Sequence, residues 1–202
     1  LEPLKGYRLV RDEVPDGDVV VPFGTMRTAR AGSHVTLITW SAMTQVALEA
    51  AELAHAQGID VEVLDLRSLV PLDVDGIAAA VSRTGRAIVL QEAPLTAGFA
   101  SEVVAAVQEG AFLHLEAPIM RVSGYDLPYP MPLVEDHYVP SVHRVLKAIE
   151  QMWYATGEPK YFRHIQKGMD YWIDENGNHK DYELEEYNID HITPGLGMMT
   201  LY

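Results

Sequence analysis

The residues able to do chemistry are few, and they sit after apolar runs. Glu92 follows Ala87-Ile88-Val89-Leu90-Gln91, and a carboxylate at the end of a buried strand can act as a general base. The plainer reading, preferred here, is an acid that caps a helix or faces a subunit contact. Asp126 stands in Gly124-Tyr125-Asp126-Leu127-Pro128, where Asx-type turn chemistry near an interface explains it better than ligand binding does. His34, His55, His114, His137 and His143 show no i, i+4 pairing with a carboxylate, so each reads as structural or solvated. Asp174-Glu175-Asn176-Gly177 lacks the spacing of a calcium loop. There is no cysteine, which excludes a disulfide framework, a thiolate metal site and a cysteine nucleophile together.

The bulk properties narrow the class further. With 15 Lys and Arg against 29 Asp and Glu, the formal charge of -14 opposes nucleic-acid binding. At 48% hydrophobic and 22% charged residues, the 202-residue chain has material for a sizeable core. No apolar run approaches the roughly 18 residues of a membrane helix, and Leu1-Glu2-Pro3-Leu4-Lys5 lacks the features of a signal peptide. A cytosolic protein that begins inside a longer product, or after processing, is therefore expected.

Alternating strand and helix patterns must position any site. Residues 1–32 are punctuated by Pro and Gly and read as an extended linker with short strands. From 33 to 150 the expected order is strand Val35 to Trp40, helix Thr44 to His55 stopped by Gly58, and strand Val61 to Leu66. Helix Val74 to Ser82 closed by Gly85, strand Ala87 to Leu90, helix Ala100 to Val107, strand Ile119 to Val122 and a helix from about Ser141 follow. Such alternation predicts an α/β fold, a doubly wound, mostly parallel sheet with helices on both faces. Its ligands would lie beyond the strands' carboxyl ends, at Ser41-Ala42-Met43, Arg67 to Pro71 and Gln91 to Phe99. No G-x-G-x-x-G or phosphate-loop motif follows any expected strand.

Those loops also carry a resemblance. Leu64-Asp65-Leu66-Arg67-Ser68-Leu69-Val70-Pro71-Leu72-Asp73, Gln91-Glu92-Ala93-Pro94, Gly98-Phe99-Ala100-Ser101-Glu102, Leu115-Glu116-Ala117-Pro118-Ile119 and Gly124-Tyr125-Asp126-Leu127-Pro128-Tyr129-Pro130 occur in that order. Residues 1–150 thereby resemble the C-terminal, transketolase-like domain of the beta subunit of thiamine-dependent 2-oxo acid dehydrogenases, closer to the branched-chain than to the pyruvate type. One departure is Ala97, where that family usually has a second glycine; its methyl group is expected to force a local adjustment.

The resemblance implies oxidative decarboxylation of a 2-oxo acid in an alpha2beta2 assembly with thiamine diphosphate and Mg²⁺, in the cytoplasm or, in a eukaryote, the mitochondrial matrix. It also implies that the cofactor sits between the alpha subunit and the beta subunit's preceding domain, so this chain alone should not bind it. What it assigns to these residues is contact with the alpha subunit and a second beta subunit, and docking of the dihydrolipoyl acyltransferase core. Glu92, Phe99, Glu102, Asp126 and Tyr129 are the residues expected at such contacts.

The composition then changes. Phe, Trp and Tyr number 8 in residues 1–150 and 9 in residues 151–202, a threefold step in density. Trp153-Tyr154-Ala155-Thr156-Gly157-Glu158, Tyr161 to Trp172, and Glu186-Tyr187-Asn188-Ile189-Asp190-His191 resemble the opening of unsaturated rhamnogalacturonyl or glucuronyl hydrolases, which are (α/α)6 barrels. By that resemblance Asp190 matches one of two functional aspartates, and the general acid lies beyond Tyr202. One carboxylate without its partner cannot divide acid and base roles, so a short α-helical, inactive C-terminal segment is expected. The alternative to a beta-subunit domain is accordingly a hybrid or truncated hydrolase fragment, or an inactive fusion of the two.

Overall fold

A computed structural model describes residues 13, 16–131 and 134–156. The chain divides by contacts into Leu1–Ala155 and Thr156–Tyr202. Of the helical segment expected over 151–202, residues 157–202, Asp190 among them, lie outside the described residues.

Five strands form one sheet in the order β1-β3-β2-β4-β5, with β1 Arg27–Arg30, β2 Val35–Thr39, β3 Val61–Asp65, β4 Ala87–Pro94 and β5 Met120–Gly124. The pairs β2/β3, β2/β4 and β4/β5 are parallel, and β1 pairs antiparallel with β3 through a bulge between Thr28 and Arg30. The sheet therefore starts within the lead-in, and the protein is the mostly parallel α/β domain that alternation implies.

Successive side chains of a strand point to opposite faces, and this divides the core in two. Leu37, Val63 and Leu90 pack on one face with α1 Met43–His55, α4 Glu135–Tyr138 and α5 Val142–Thr156. Ile38, Leu64 and Val89 pack on the other with α2 Val74–Thr84 and α3 Ala100–Ala111. In α1 the alanines at 47, 50, 51 and 54 recur at helical spacing and are fully buried, which lets the helix lie close on the sheet.

The helix ends follow from local chemistry. Asp73 caps α2 by accepting from the N–H of Gly76 at 3.0 Å, and its other oxygen accepts from the N–H of Met26 at 3.0 Å. The same carboxylate thus starts a helix and holds the lead-in against the domain. Gly85 ends α2 in the left-handed region, φ +67°, with its N–H donating to Val81 O. On β3, Glu62 is 3% exposed yet satisfied, accepting from Arg83 Nη2 at 2.6 Å and from Thr36 Oγ1 at 3.1 Å, which ties the amino ends of β2 and β3 to the last turn of α2.

The last helix carries the largest difference from the sequence reading. α5 runs from Val142 through position 150 to Thr156 without a break. Met152 is buried with Val145, Ala148 and Ile149, and the Trp153 ring stacks on His34 at 4.2 Å between centroids. The Arg86 guanidinium lies 5.1 Å from the Trp153 ring. The first turns of the aromatic-rich segment therefore pack on the α/β domain, since a helix that buries Ile149 necessarily presents the residues three and four positions on to the same face.

Candidate functional site

The parallel strands end on one rim, and the loops leaving it are built under constraint. Ser41 after β2, Arg67 after β3 and Ala97 after β4 have φ of +57°, +56° and +57°, and they are the non-glycine residues with positive φ among the described residues. Left-handed backbone costs an L-residue roughly 1–2 kcal/mol, so the three adjacent loops hold shapes their own sequences disfavour. Such strain gathers at binding surfaces.

The β4–α3 loop shows how the shape is held. Gln91 is 1% exposed; its Nε2 donates to Pro94 O at 2.7 Å and its Oε1 accepts from the N–H of Ala100 at 2.8 Å. One amide thus closes the loop and satisfies an orphan donor at the start of α3. Gly98 packs directly over it, where any Cβ would overlap the Gln91 amide and the Pro94 carbonyl. The adjustment expected at Ala97 is the left-handed conformation itself. Ala97→Gly is expected to stabilise the fold by about 1 kcal/mol, read as a higher urea midpoint at unchanged m-value.

Asp126 bridges two loops rather than forming a local turn. Its carboxylate accepts from Thr96 N at 2.9 Å and from Thr96 Oγ1 at 2.7 Å, thirty residues away in sequence. The Asx-type turn is thus corrected to a clamp between the loops after β4 and β5. The Thr96 backbone N–H, then its hydroxyl, hold the Asp126 carboxyl below the ordinary value of 3.8. A depressed carboxyl stabilises the fold fully above its unfolded value and loses that contribution as pH falls through the lower folded value. An NMR titration is expected to show the Thr96 amide shift following Asp126 protonation below pH 3.8.

The other candidate residues fall around the same rim. Phe99 is half-buried, and its ring meets Trp40 edge to face at 5.9 Å. Glu102 is exposed in the first turn of α3, where a negative charge complements the helix dipole. Tyr129 is exposed and rests edge-on against Tyr138, with centroids 5.1 Å apart. Glu92 is half-buried and its carboxylate makes no hydrogen bond or ion pair with the described residues, so it caps no helix among them.

What the residue-by-residue reading missed is how many apolar side chains the loops after β3, β4 and β5 leave in solvent. Val70 is 84% exposed and Met131 80%, and Leu95, Tyr125, Leu127 and Tyr129 are exposed with them. The available signal was apolar residues set among prolines, in Val70-Pro71 and Leu127-Pro128-Tyr129-Pro130-Met131, where no periodicity assigns them to a core.

Backbone-constrained loops that leave apolar side chains in solvent, on the carboxyl rim of a mostly parallel sheet with helices on both faces, define the class as an α/β domain of the doubly wound type. The profile of the family described as transketolase, C-terminal domain, matches residues 24–145, and the chain belongs to that family. It is 42% identical over 151 residues to the mitochondrial 2-oxoisovalerate dehydrogenase subunit beta of Dictyostelium discoideum, an alignment covering 74% of this chain and 40% of that protein. It is 41% identical over 150 residues to the pyruvate dehydrogenase E1 component subunit beta of Leifsonia xyli subsp. xyli, covering 74% and 44%. A solved structure described as a split-gene transketolase, inactive beta4 tetramer, superposes with a TM-score of 0.58 at 26% identity over 72% of this chain and 46% of the other. The chain thus spans less than half the length of these relatives.

A thiamine diphosphate and Mg²⁺ site does not fit the described residues. No three His, Cys, Asp or Glu among them converge as metal ligands, and three carboxylates of the rim loops are held by the protein itself, Asp65 by Arg27, Asp73 by Met26 and Gly76, Asp126 by Thr96. Among the described residues no helix is long and apolar enough to cross a membrane.

Proposed function

We propose that the chain is the assembly domain of the beta subunit of a thiamine-dependent 2-oxo acid dehydrogenase, of branched-chain type. Its role is to present a preformed rim to the alpha subunit and to a second beta subunit, and to help dock the dihydrolipoyl acyltransferase core. The single observation that carries this reading is the exposed apolar rim on strained, cross-braced loops. An isolated domain gains nothing by leaving Val70, Leu127 and Met131 in water, whereas an interface core requires such residues. Thiamine diphosphate and Mg²⁺ belong to the remainder of the assembly, and the cytoplasm, or the matrix in a eukaryote, is its compartment.

Mixing the chain with the matching alpha subunit and analysing by size exclusion with light scattering tests the proposal. A complex is expected, and Val70→Asp with Leu127→Asp is expected to dissolve it while the circular dichroism spectrum is retained. Failure to associate across a range of salt concentrations would overturn it.

For residues 151–202 the reading is a hydrolase-like fragment joined to this domain without activity of its own, its first residues continuing α5. It is supported by the aromatic step and by the family match ending at residue 145. The tryptic peptide Ala148 to Lys160, which crosses the junction, is expected by mass spectrometry. Its absence would mean that two proteins are joined in one sequence.

A further inference from the structure

One cation of the rim is left over. Among the described residues Arg27 pairs with Asp65, Arg30 with Glu52 and Asp60, Arg83 with Glu62 and Arg86 with Glu116, while Arg121 donates to Ser101 Oγ and Arg144 to Ser123 O. The guanidinium of Arg67, the remaining described arginine, is exposed and makes no hydrogen bond, ion pair or ring contact among the described residues. In a chain with 29 Asp and Glu against 15 Lys and Arg, an arginine without an acid is the exception.

The loop after β3 explains why the chain's own acids leave it alone. Asp65 is two residues away, and both its oxygens are taken: Oδ2 accepts from Arg27 Nη2 at 3.1 Å and Oδ1 from the backbone N–H of Arg67 at 3.2 Å. The Ser68 N–H donates back to Leu66 O, and the Leu66 N–H to Thr39 O at 2.9 Å, so the turn is fastened on both sides of Arg67. Arg67 itself stands at φ +56°, in the left-handed region that glycine enters without steric cost. The turn by itself thus disfavours arginine, and what arginine adds is the guanidinium it holds out to solvent.

The surroundings fit a polypeptide carboxylate better than a free anion. Val70, three residues on in the same loop, is 84% exposed, and a small ion would leave it so. A lone exposed guanidinium gains little from a hydrated ion, whereas a planar fork pairing with a carboxylate among apolar side chains is what interface cores collect. At this loop a second copy is a poor occupant, since two chains of formal charge -14 repel each other across the contact.

We propose that Arg67 anchors the rim by taking a carboxylate of the alpha subunit, set among apolar side chains that cover Val70. The inference rests on the assembly reading and adds the chemistry of the partner's surface and the residue that reads it.

Isothermal titration of the full chain with the matching alpha subunit tests it. Arg67→Ala is expected to weaken association at least about tenfold and Arg67→Glu about a hundredfold, with Arg67→Lys, a cation without the fork, between wild type and Arg67→Ala. Arg67→Gly separates recognition from folding: it relieves the left-handed backbone, so its urea midpoint is expected to rise at unchanged m-value while its affinity falls as in Arg67→Ala. No association of the wild-type chain would overturn the assembly reading and this inference together. A wild-type complex whose affinity Arg67→Ala leaves within about twofold would overturn this inference alone, and so would a lower urea midpoint for Arg67→Gly, which would assign the guanidinium to the domain's own stability.

Discussion

Gly98→Ala is expected to lower the unfolding free energy by about 3 kcal/mol, making it among the most damaging single-methyl changes available in the domain. The reason is space, not backbone freedom. The new Cβ would overlap the Gln91 amide and the Pro94 carbonyl. Neither neighbour can retreat cheaply, because Gln91 is 1% exposed and bonded at both ends, to Pro94 O and to the N–H of Ala100. If Gln91 swings away, a buried amide and the first donor of α3 lose their partners, at about 1–3 kcal/mol for each group. Gly58 is the internal comparison. It has φ +82° with nothing within 4 Å of a new Cβ, so Gly58→Ala meets only the left-handed backbone cost of roughly 1–2 kcal/mol. Urea unfolding of the two variants should rank them in that order, and a loss below about 1 kcal/mol for Gly98→Ala would show that the Gln91 clamp yields. The same variant should weaken alpha-subunit association, because Phe99, next in the chain, positions the Trp40 contact on the rim.

Cutting the chain after Glu150 is expected to destabilise the α/β domain by about 4 kcal/mol relative to cutting after Ala155. Five residues separate the two ends, and two of them pack on the domain. Met152 is 2% exposed in the core that α5 shares with the sheet, and removing such a side chain costs about 2–5 kcal/mol. Trp153 stacks on His34 at 4.2 Å with the Arg86 guanidinium 5.1 Å away, contributing about 1 kcal/mol more. Paired thermal or urea unfolding of the two truncated chains measures the difference. Equal stabilities would return the domain boundary to residue 150, where the aromatic content steps up.

How far the site was legible depended on the range of the interactions that make it. Gly85 and Gly58 could be read as helix stops because a C-terminal glycine acts on its own turn, and both have positive φ, +67° and +82°. The loops at the carboxyl ends of β2 and β3 were located because strand direction alone puts them there, whereas β4 runs on through Gln91 to Pro94 and only the second half of the expected loop, to Phe99, lies beyond it. Their content was not readable. Asp126 was taken as a local turn former because Asp favours such turns, but its partner Thr96 is thirty residues away, beyond the reach of any local rule. Glu92 was read as an acid that caps a helix or faces a subunit contact; a cap needs a helix end within hydrogen-bond distance, and none among the described residues is bonded to its carboxylate, which leaves the contact. Gln91 and Gly98 were visible as motif residues, while their interdependence rests on a backbone approach that only the folded loop creates.

The sequence by itself determined the periodic parts: four parallel strands of alternating face, helices on both sides of the sheet, and membership of the transketolase C-terminal domain family. The strands and helices follow from hydrophobic spacing along a few consecutive residues, which acts the same way whatever the rest of the chain does, whereas the family was marked by the ordered loop motifs between Leu64 and Pro130. The tertiary structure decided that β1 joins as an antiparallel edge, that α5 carries Met152 and Trp153 onto the domain, and that Val70, Leu127 and Met131 are left in solvent. Each of these is a choice between partners distant in sequence, settled by which surfaces remain to be covered once the periodic elements have packed.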